Sequence, residues 1–193
     1  MSAYRAHYVL DPMCSWCWAF APAFATLREE FGRRGDTDVR YVMGGLAPDS
    51  DVPMPGSMRL QIQGIWRDIE KRTGAKFNHD FWELNEPRRS TWPACRAAIA
   101  AGVLERGALP RMIEAIQRAY YLAARNPSNP DVLCDLAGEI GLERTAFAEC
   151  LNSEKVRELF AADRQFVSQA GVQGFPALVA EARFGVESRY LWV

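Results

Sequence analysis

The chain has 193 residues, 49% hydrophobic and 24% charged, the balance of a soluble globular protein of one domain or one domain with an insertion. Its 23 basic and 24 acidic side chains give a net charge of −1 and form no Lys/Arg-rich run, which excludes the counterion-releasing patch of a nucleic-acid binder. The most apolar windows, 93–104 and 172–180, fall short of the about 20 residues that span a bilayer, and the N-terminus lacks a secretory signal, so a cytoplasmic protein without a membrane partner is expected.

Residues 4–10, YRAHYVL, alternate and are rich in Tyr and Val, which predicts a strand. Asp11-Pro12 ends it, because proline donates no N–H and restricts the residue before it. From Cys14 the positions Trp18, Pro22, Phe24, Leu27 and Phe31 recur at helical spacing. Pro22 should kink this helix, and Gly32 and Gly35 should stop it. DVRYVM (38–43) reads as a second strand, closed by Gly44-Gly45. A strand, a helix and a strand in this order make a βαβ unit, with parallel strands and a right-handed crossover.

APDSDVPMPG (47–56) carries three prolines in ten residues and reads as a loop. Helical patterns then fill the chain to about Val172. Ser90 or Thr91 is the expected N-cap of one helix, with Pro93 in its first turn; Pro110 opens the next, and Asn129-Pro130 another that Gly141 ends. Short separators imply antiparallel neighbours in a bundle. Strand character returns in PALVAE and VESRYLWV, joined by Ala-Arg-Phe-Gly as an antiparallel hairpin. The expected division is therefore residues 1–50 with 168–193 as one discontinuous α/β domain, and 57–167 as an all-helical insertion.

Cys14 and Cys17 follow the first strand and open the helix. A thiol at a helix N-terminus meets free N–H groups and the positive end of the macrodipole, which favour the reactive thiolate. The i, i+3 spacing lets the two sulfurs bond, and Ser15 could donate to the sulfur. Three explanations compete: a redox dithiol, part of a zinc site, or two unreactive buried thiols. Zinc needs four ligands; there is no second C-x-x-C, and His7 and His79, the only histidines, have no ligand spacing. His7 should lie on a strand face and His79 in a turn. Cys95, Cys134 and Cys150 stand singly and read as buried small hydrophobes. Gly174-Phe175-Pro176 precedes the third strand, where a cis X-Pro bond would turn the Phe175 backbone outward to pair with an extended peptide; a trans proline at a strand start is the alternative.

The segments YVLDPMCSWCW, YVMGGL and GVQGFPALV, with STWPACRA and IQRAYYLAARNPSN between them, resemble the DsbA family, and within it the FrnE-like branch of cytoplasmic disulfide oxidoreductases. The resemblance implies an α/β thioredoxin-like fold (βαβ … ββ) with a large helical insertion, and thiol–disulfide exchange with protein or small-molecule thiols and disulfides. It implies Cys14 as nucleophile, Cys17 as resolving thiol, Pro176 as cis-proline and Phe175 as the residue that presents backbone to substrate. Trp16 and Met13 are expected on the substrate side and Trp18 in packing. No metal or bound cofactor is expected, glutathione is a candidate redox partner, and the chain is expected to be a monomer or homodimer. Two departures stand out: the chain ends at RYLWV, without the final helix of thioredoxin folds, and Ser15-Trp16 replaces the Pro-His of the periplasmic prototype. Kappa-class glutathione transferases and hydroxychromene-carboxylate isomerases resemble the same architecture, so a glutathione-dependent isomerase or transferase is a second expectation, with Met13, Trp16, Trp18 and Phe175 lining its pocket. A peptide-binding holdase is a third.

Overall fold

A computed structural model describes residues 4–184 and 187–192, with side chains to residue 181. Strand β1 (Tyr4–Leu10) leads into helix α1 (Ser15–Arg34) and strand β2 (Thr37–Met43); β3 (Ala177–Phe184) and β4 (Glu187–Trp192) close the chain. The four strands lie in the order β2-β1-β3-β4. β1 runs parallel to β2, with Tyr8 opposite Tyr41, and antiparallel to β3, with His7 opposite Val179. The architecture is the expected α/β thioredoxin-like sheet with a helical block between its halves.

β1 is central, and its residues Ala6–Leu10 are buried in an unbroken run, as a strand covered on both faces requires. Tyr8 and Leu10 enter the main core; there Tyr8 stacks on Phe24 of α1 at a centroid distance of 3.6 Å. Val9 faces the other way and meets Val42 and Val179. That second face is covered by Phe166 and Val167 of α8 (Glu154–Gln169). Asp163 of α8 reaches the end of β2, accepting from the Met43 N–H at 2.9 Å and from Arg40 at 2.8 Å.

The helices between the sheet halves are α2 (Gly56–Thr73), the short α3 (Phe81–Leu84), α4 (Trp92–Leu104), α5 (Ala108–Tyr121), α6 (Pro130–Glu139), α7 (Arg144–Leu151) and α8. α4 is alanine-rich and buried along most of its length, including Ala94, Ala97, Ala98, Ala100 and Ala101. Small side chains on all sides let neighbouring helices approach it closely, which puts it at the centre of the block. Trp66 of α2 is fully buried among Phe77, Phe81, Trp82, Tyr120 and Tyr121, with ring centroids 4.9–5.9 Å away.

Several boundaries differ from the sequence expectation. α1 runs through Gly32 and stops only at Gly35, which takes φ 68° and donates its N–H to the Phe31 carbonyl. Gly32 merely costs helix propensity, whereas Gly35 adopts the left-handed turn that ends a helix. Pro22 removes one i+4 donor without ending the helix. α5 starts at Ala108, behind Gly107 at φ 87°, so Pro110 lies inside its first turn. β3 continues through Ala182-Arg183-Phe184, residues expected in the hairpin connection, because Tyr4 pairs with Ala182 and holds them in the sheet. The connection itself falls at 185–186, outside the described residues.

Candidate functional site

Cys14 is the N-cap of α1, in extended conformation at φ −83° and ψ 119°. Its own N–H is held by the Asp11 carbonyl at 3.0 Å, and its carbonyl accepts from the Trp18 N–H at 3.0 Å. This fixes the sulfur at the helix N-terminus, where the first-turn N–H groups lack intrahelical partners. Cys17, one turn on, is fully buried, while Cys14 keeps 8% of its surface exposed. All five cysteines are free thiols in this structure.

The two thiols are electrostatically unequal. The hydrogen bond from the Cys17 thiol pulls the Cys14 pKa below the ordinary thiol value, with further help from the Cys17 and Trp16 N–H groups, against the cost of burial. Burial drives Cys17 the other way, and the negative charge on Cys14 adds to the shift. Of the two thiols the outer one therefore gives up its proton more readily, which is what a nucleophile requires.

The Phe175–Pro176 peptide bond is cis. The Phe175 carbonyl accepts from the Cys14 thiol, with Sγ···O at 3.6 Å. Phe175 is held from beneath by Gly44: a Cβ there would lie 2.3 Å from the Phe175 ring, so only glycine lets the ring pass. The Gly44-Gly45 pair therefore does more than end a strand. Gly45 sits at φ 69°, and its carbonyl receives the Trp92 indole N–H at 3.1 Å.

Sequence reasoning treated Asp11 only as a strand terminator. It is fully buried and gathers four donors: the Met13 N–H at 2.8 Å, the Leu46 N–H at 2.7 Å, the Thr91 hydroxyl at 2.6 Å and the Cys95 thiol at 3.4 Å. Burial raises its pKa against the pull of those hydrogen bonds. Thr91 is the N-cap of α4 by position, yet its side chain does not cap the helix; it bonds Asp11 and receives the Ala47 N–H instead. Asp-Pro after a strand looks like any turn, so no local signal distinguishes this carboxylate.

The remaining candidates are placed as follows. Trp16 is 39% exposed beside Cys14. Trp18 is half-buried, donates its indole N–H to the Lys76 carbonyl at 3.0 Å and stacks on Tyr121 at 5.6 Å. Met13 is as buried as Cys14, and Phe175 and Pro176 are half-buried. Cys95 is fully buried, but Cys134 and Cys150 are only partly so, which corrects the expectation that all three are buried; both still pack against the core, and the Cys150 thiol donates to the Ala100 carbonyl at 3.7 Å. His7 is buried on β1, bonded to Glu181 at 2.9 Å, and His79 pairs with Glu70 at 3.0 Å. Among the described residues no group of three or more His, Cys, Asp or Glu could hold a metal ion, and no helix is long and apolar enough to cross a membrane.

Known proteins share this fold. A candidate protein disulfide isomerase from Nitrosomonas europaea superposes with a TM-score of 0.83 at 30% identity, covering 98% of this chain and 89% of its own. The cytosolic disulfide reductase DsbM from Pseudomonas aeruginosa, solved with GSH, gives 0.76 at 28% identity over 97% of this chain and 89% of that one. Among curated proteins, the ClpXP adapter protein SpxH of Halalkalibacterium halodurans is 25% identical over 88% of this chain and 56% of its own length. The chain thus spans about half the length of the curated relatives it matches. A 2-hydroxychromene-2-carboxylate isomerase shares the fold, with a TM-score of 0.66 at 12% identity. Residues 7–190 match the family model throughout, and the chain belongs to the DSBA-like thioredoxin domain family of thiol–disulfide oxidoreductases.

Proposed function

We propose that the chain catalyses thiol–disulfide exchange through Cys14 and Cys17. The observation that carries this reading is the unequal pair at the start of α1, with a depressed outer thiol and a raised inner one, set against the Phe175 carbonyl. The Cys14 thiolate attacks one sulfur of a substrate disulfide. The other substrate sulfur leaves as a thiolate and takes up a proton, and a mixed disulfide joins Cys14 to the substrate. Cys17 then loses its proton and attacks the Cys14 sulfur, which releases the second substrate thiol. Two electrons have passed from the protein dithiol to the substrate. Two molecules of glutathione restore the dithiol and leave as glutathione disulfide. Trp16 flanks the outer thiol as a contact for the substrate, and the backbone at Phe175-Pro176 receives an extended peptide beside the mixed disulfide.

Reduction is the direction supported by the likeness to DsbM, a cytosolic disulfide reductase whose structure includes GSH. The test is the reduction of insulin by the wild type and by Cys14→Ser, with the Cys14–Cys17 potential measured against glutathione. Loss of activity in Cys14→Ser and a potential near about −270 mV support the reading. Undiminished activity in Cys14→Ser overturns the mechanism, and a potential above about −180 mV overturns the direction.

A further inference from the structure

The half-buried arginines of this chain are tied down, with one exception. Arg5, Arg40, Arg88, Arg96 and Arg125 each hold a carboxylate, and Arg59 donates to the Trp82 carbonyl. Arg89 is half-buried too, yet its guanidinium makes no hydrogen bond or ion pair among the described residues. A charge drawn partly out of water is costly unless it is paired. The arginine fork fits a carboxylate on two oxygens at once, so a carboxylate is the partner this position lacks.

Its place in the fold is close to the thiols. Arg89 stands two residues before Thr91, whose hydroxyl donates to Asp11 at 2.6 Å, and Asp11 in turn holds the N–H of Met13, next to Cys14, at 2.8 Å. The neighbours Arg88 and Ser90 turn elsewhere, to Asp51 and to the Ser50 N–H. Arg89 does not join them. It lies within electrostatic reach of Tyr120, whose hydroxyl feels the charges of Arg89 and Asp11 together. The unpaired guanidinium therefore belongs to the side of the helical block that meets the cysteine loop.

Resting on the exchange reading above, we propose that Arg89 is a specificity-determining residue for the step that restores the dithiol: it takes a carboxylate of the incoming small thiol and so selects anionic thiols of the glutathione kind. In that step an external thiolate attacks the Cys14 sulfur of the Cys14–Cys17 disulfide. A bond forms between the two, the Cys14–Cys17 bond breaks, and Cys17 leaves as a thiolate and takes up a proton. A second thiolate attacks the sulfur of the first, frees Cys14 and departs with it as a disulfide. A carboxylate held by Arg89 keeps the first thiol beside Cys14 through both attacks.

The test mixes the oxidised full chain with glutathione or with neutral 2-mercaptoethanol and follows its reduction by tryptophan fluorescence. Arg89→Gln should slow the reaction with glutathione at least about ten-fold, the loss of a charged hydrogen-bonded contact, and leave the 2-mercaptoethanol rate unchanged. Arg89→Lys, which keeps the charge without the fork, should fall between the two. Added salt should slow the wild type with glutathione more than it slows Arg89→Gln. Arg106→Gln removes an exposed arginine beyond the far end of α4, about 20 Å along that helix from Thr91, and should match the wild type with both thiols. Equal slowing with both thiols in Arg89→Gln overturns the proposal, since the arginine would then be structural, and so does an undiminished glutathione rate. Slower insulin reduction in Arg89→Gln with 2-mercaptoethanol as reductant also overturns it, because the anion would then lie on the protein substrate. A wild type inert to both thiols and to insulin refutes the exchange reading itself, whereas exchange that ignores Arg89 refutes this proposal alone.

Discussion

Gly44→Ala is the sharpest perturbation of the space between the two halves of the site. The added methyl would lie 2.3 Å from two carbons of the Phe175 ring and 2.9 Å from a third. Carbon atoms in contact sit at about 3.5–4.0 Å, so the ring must retreat by roughly 1.2 Å or more. Phe175 is half-buried and packs against both core clusters, so its ring can yield only away from them, toward its open side. Its carbonyl is the atom that meets the Cys14 thiol at 3.6 Å, so the displacement falls on the reacting sulfur. Gly44 is not at positive φ, and alanine therefore adds no backbone strain. Overpacking of this kind costs about 1–3 kcal/mol, offset by about 0.4–1 kcal/mol from a stiffer unfolded chain. The middle of each range leaves a net loss of about 1.3 kcal/mol, a fall of about 3–5 °C in Tm for a chain of this size. Misplacement by about 1 Å can lower kcat/KM by as much as 10²-fold. The assays are insulin reduction and thermal unfolding, with Gly64→Ala as control: nothing lies within 4 Å of a Cβ there, inside α2, and helix propensity should raise stability by about 0.5–1 kcal/mol. Trimming the obstacle in Gly44→Ala/Phe175→Ala should recover part of the lost stability, a coupling that a double-mutant cycle measures. Wild-type activity and Tm in Gly44→Ala would refute the claim that Phe175 is fixed by the absence of a side chain at 44.

Neutralising Asp11 as Asn should move the pH midpoint of Cys14 alkylation downward, because the carboxylate charge opposes the Cys14 thiolate; an upward or absent shift contradicts this. Thr91→Val, nearly the same shape, removes both the donor to Asp11 and the acceptor of the Ala47 N–H, and should cost about 1–3 kcal/mol in urea unfolding. His7 has a pKa lowered from 6.5 by burial, only partly restored by Glu181, with Arg40 and Arg5 opposing protonation. Below pH 6.5 the unfolded chain therefore binds more protons than the folded one, so stability should fall as pH drops from 6.5 through the folded value. His7→Phe should flatten that part of the stability profile, and an unchanged slope would show that another group sets it.

What was legible in the sequence depended on whether the signal was local. The strand ending at Asp11, the helix beginning after Cys14 and the C-x-x-C spacing lie within ten residues of one another, and the structure places them as expected. The return of strand character at Ala177 was equally clear, since β-branched and aromatic residues resume there. Gly32 and Gly35 looked equivalent because propensity alone does not say which glycine takes the left-handed turn. The role of Asp11 was invisible because its donors come from residues 13, 46, 91 and 95, brought together only by the fold. Thr91 is the N-cap by position as expected, but its hydroxyl accepts from the Ala47 N–H rather than from the helix and donates to Asp11, partners that only the fold brings near. Cys134 and Cys150 follow composition in being apolar neighbours, yet single cysteines carry no sign of which helix face they occupy.

The meeting of Leu46, Thr91 and Met13 on one carboxylate has a bearing on how this architecture can be altered. The helical block cannot be treated as a cassette, to be excised or exchanged while the sheet and the cysteine loop are kept. Cutting the chain before Thr91 would remove Thr91 and Cys95 together, and the carboxylate beneath the cysteine loop would lose two of its four donors while still sealed from water. A minimal version of the protein would have to replace Asp11 at the same time, and a grafted helical block would have to bring a hydroxyl to the same point.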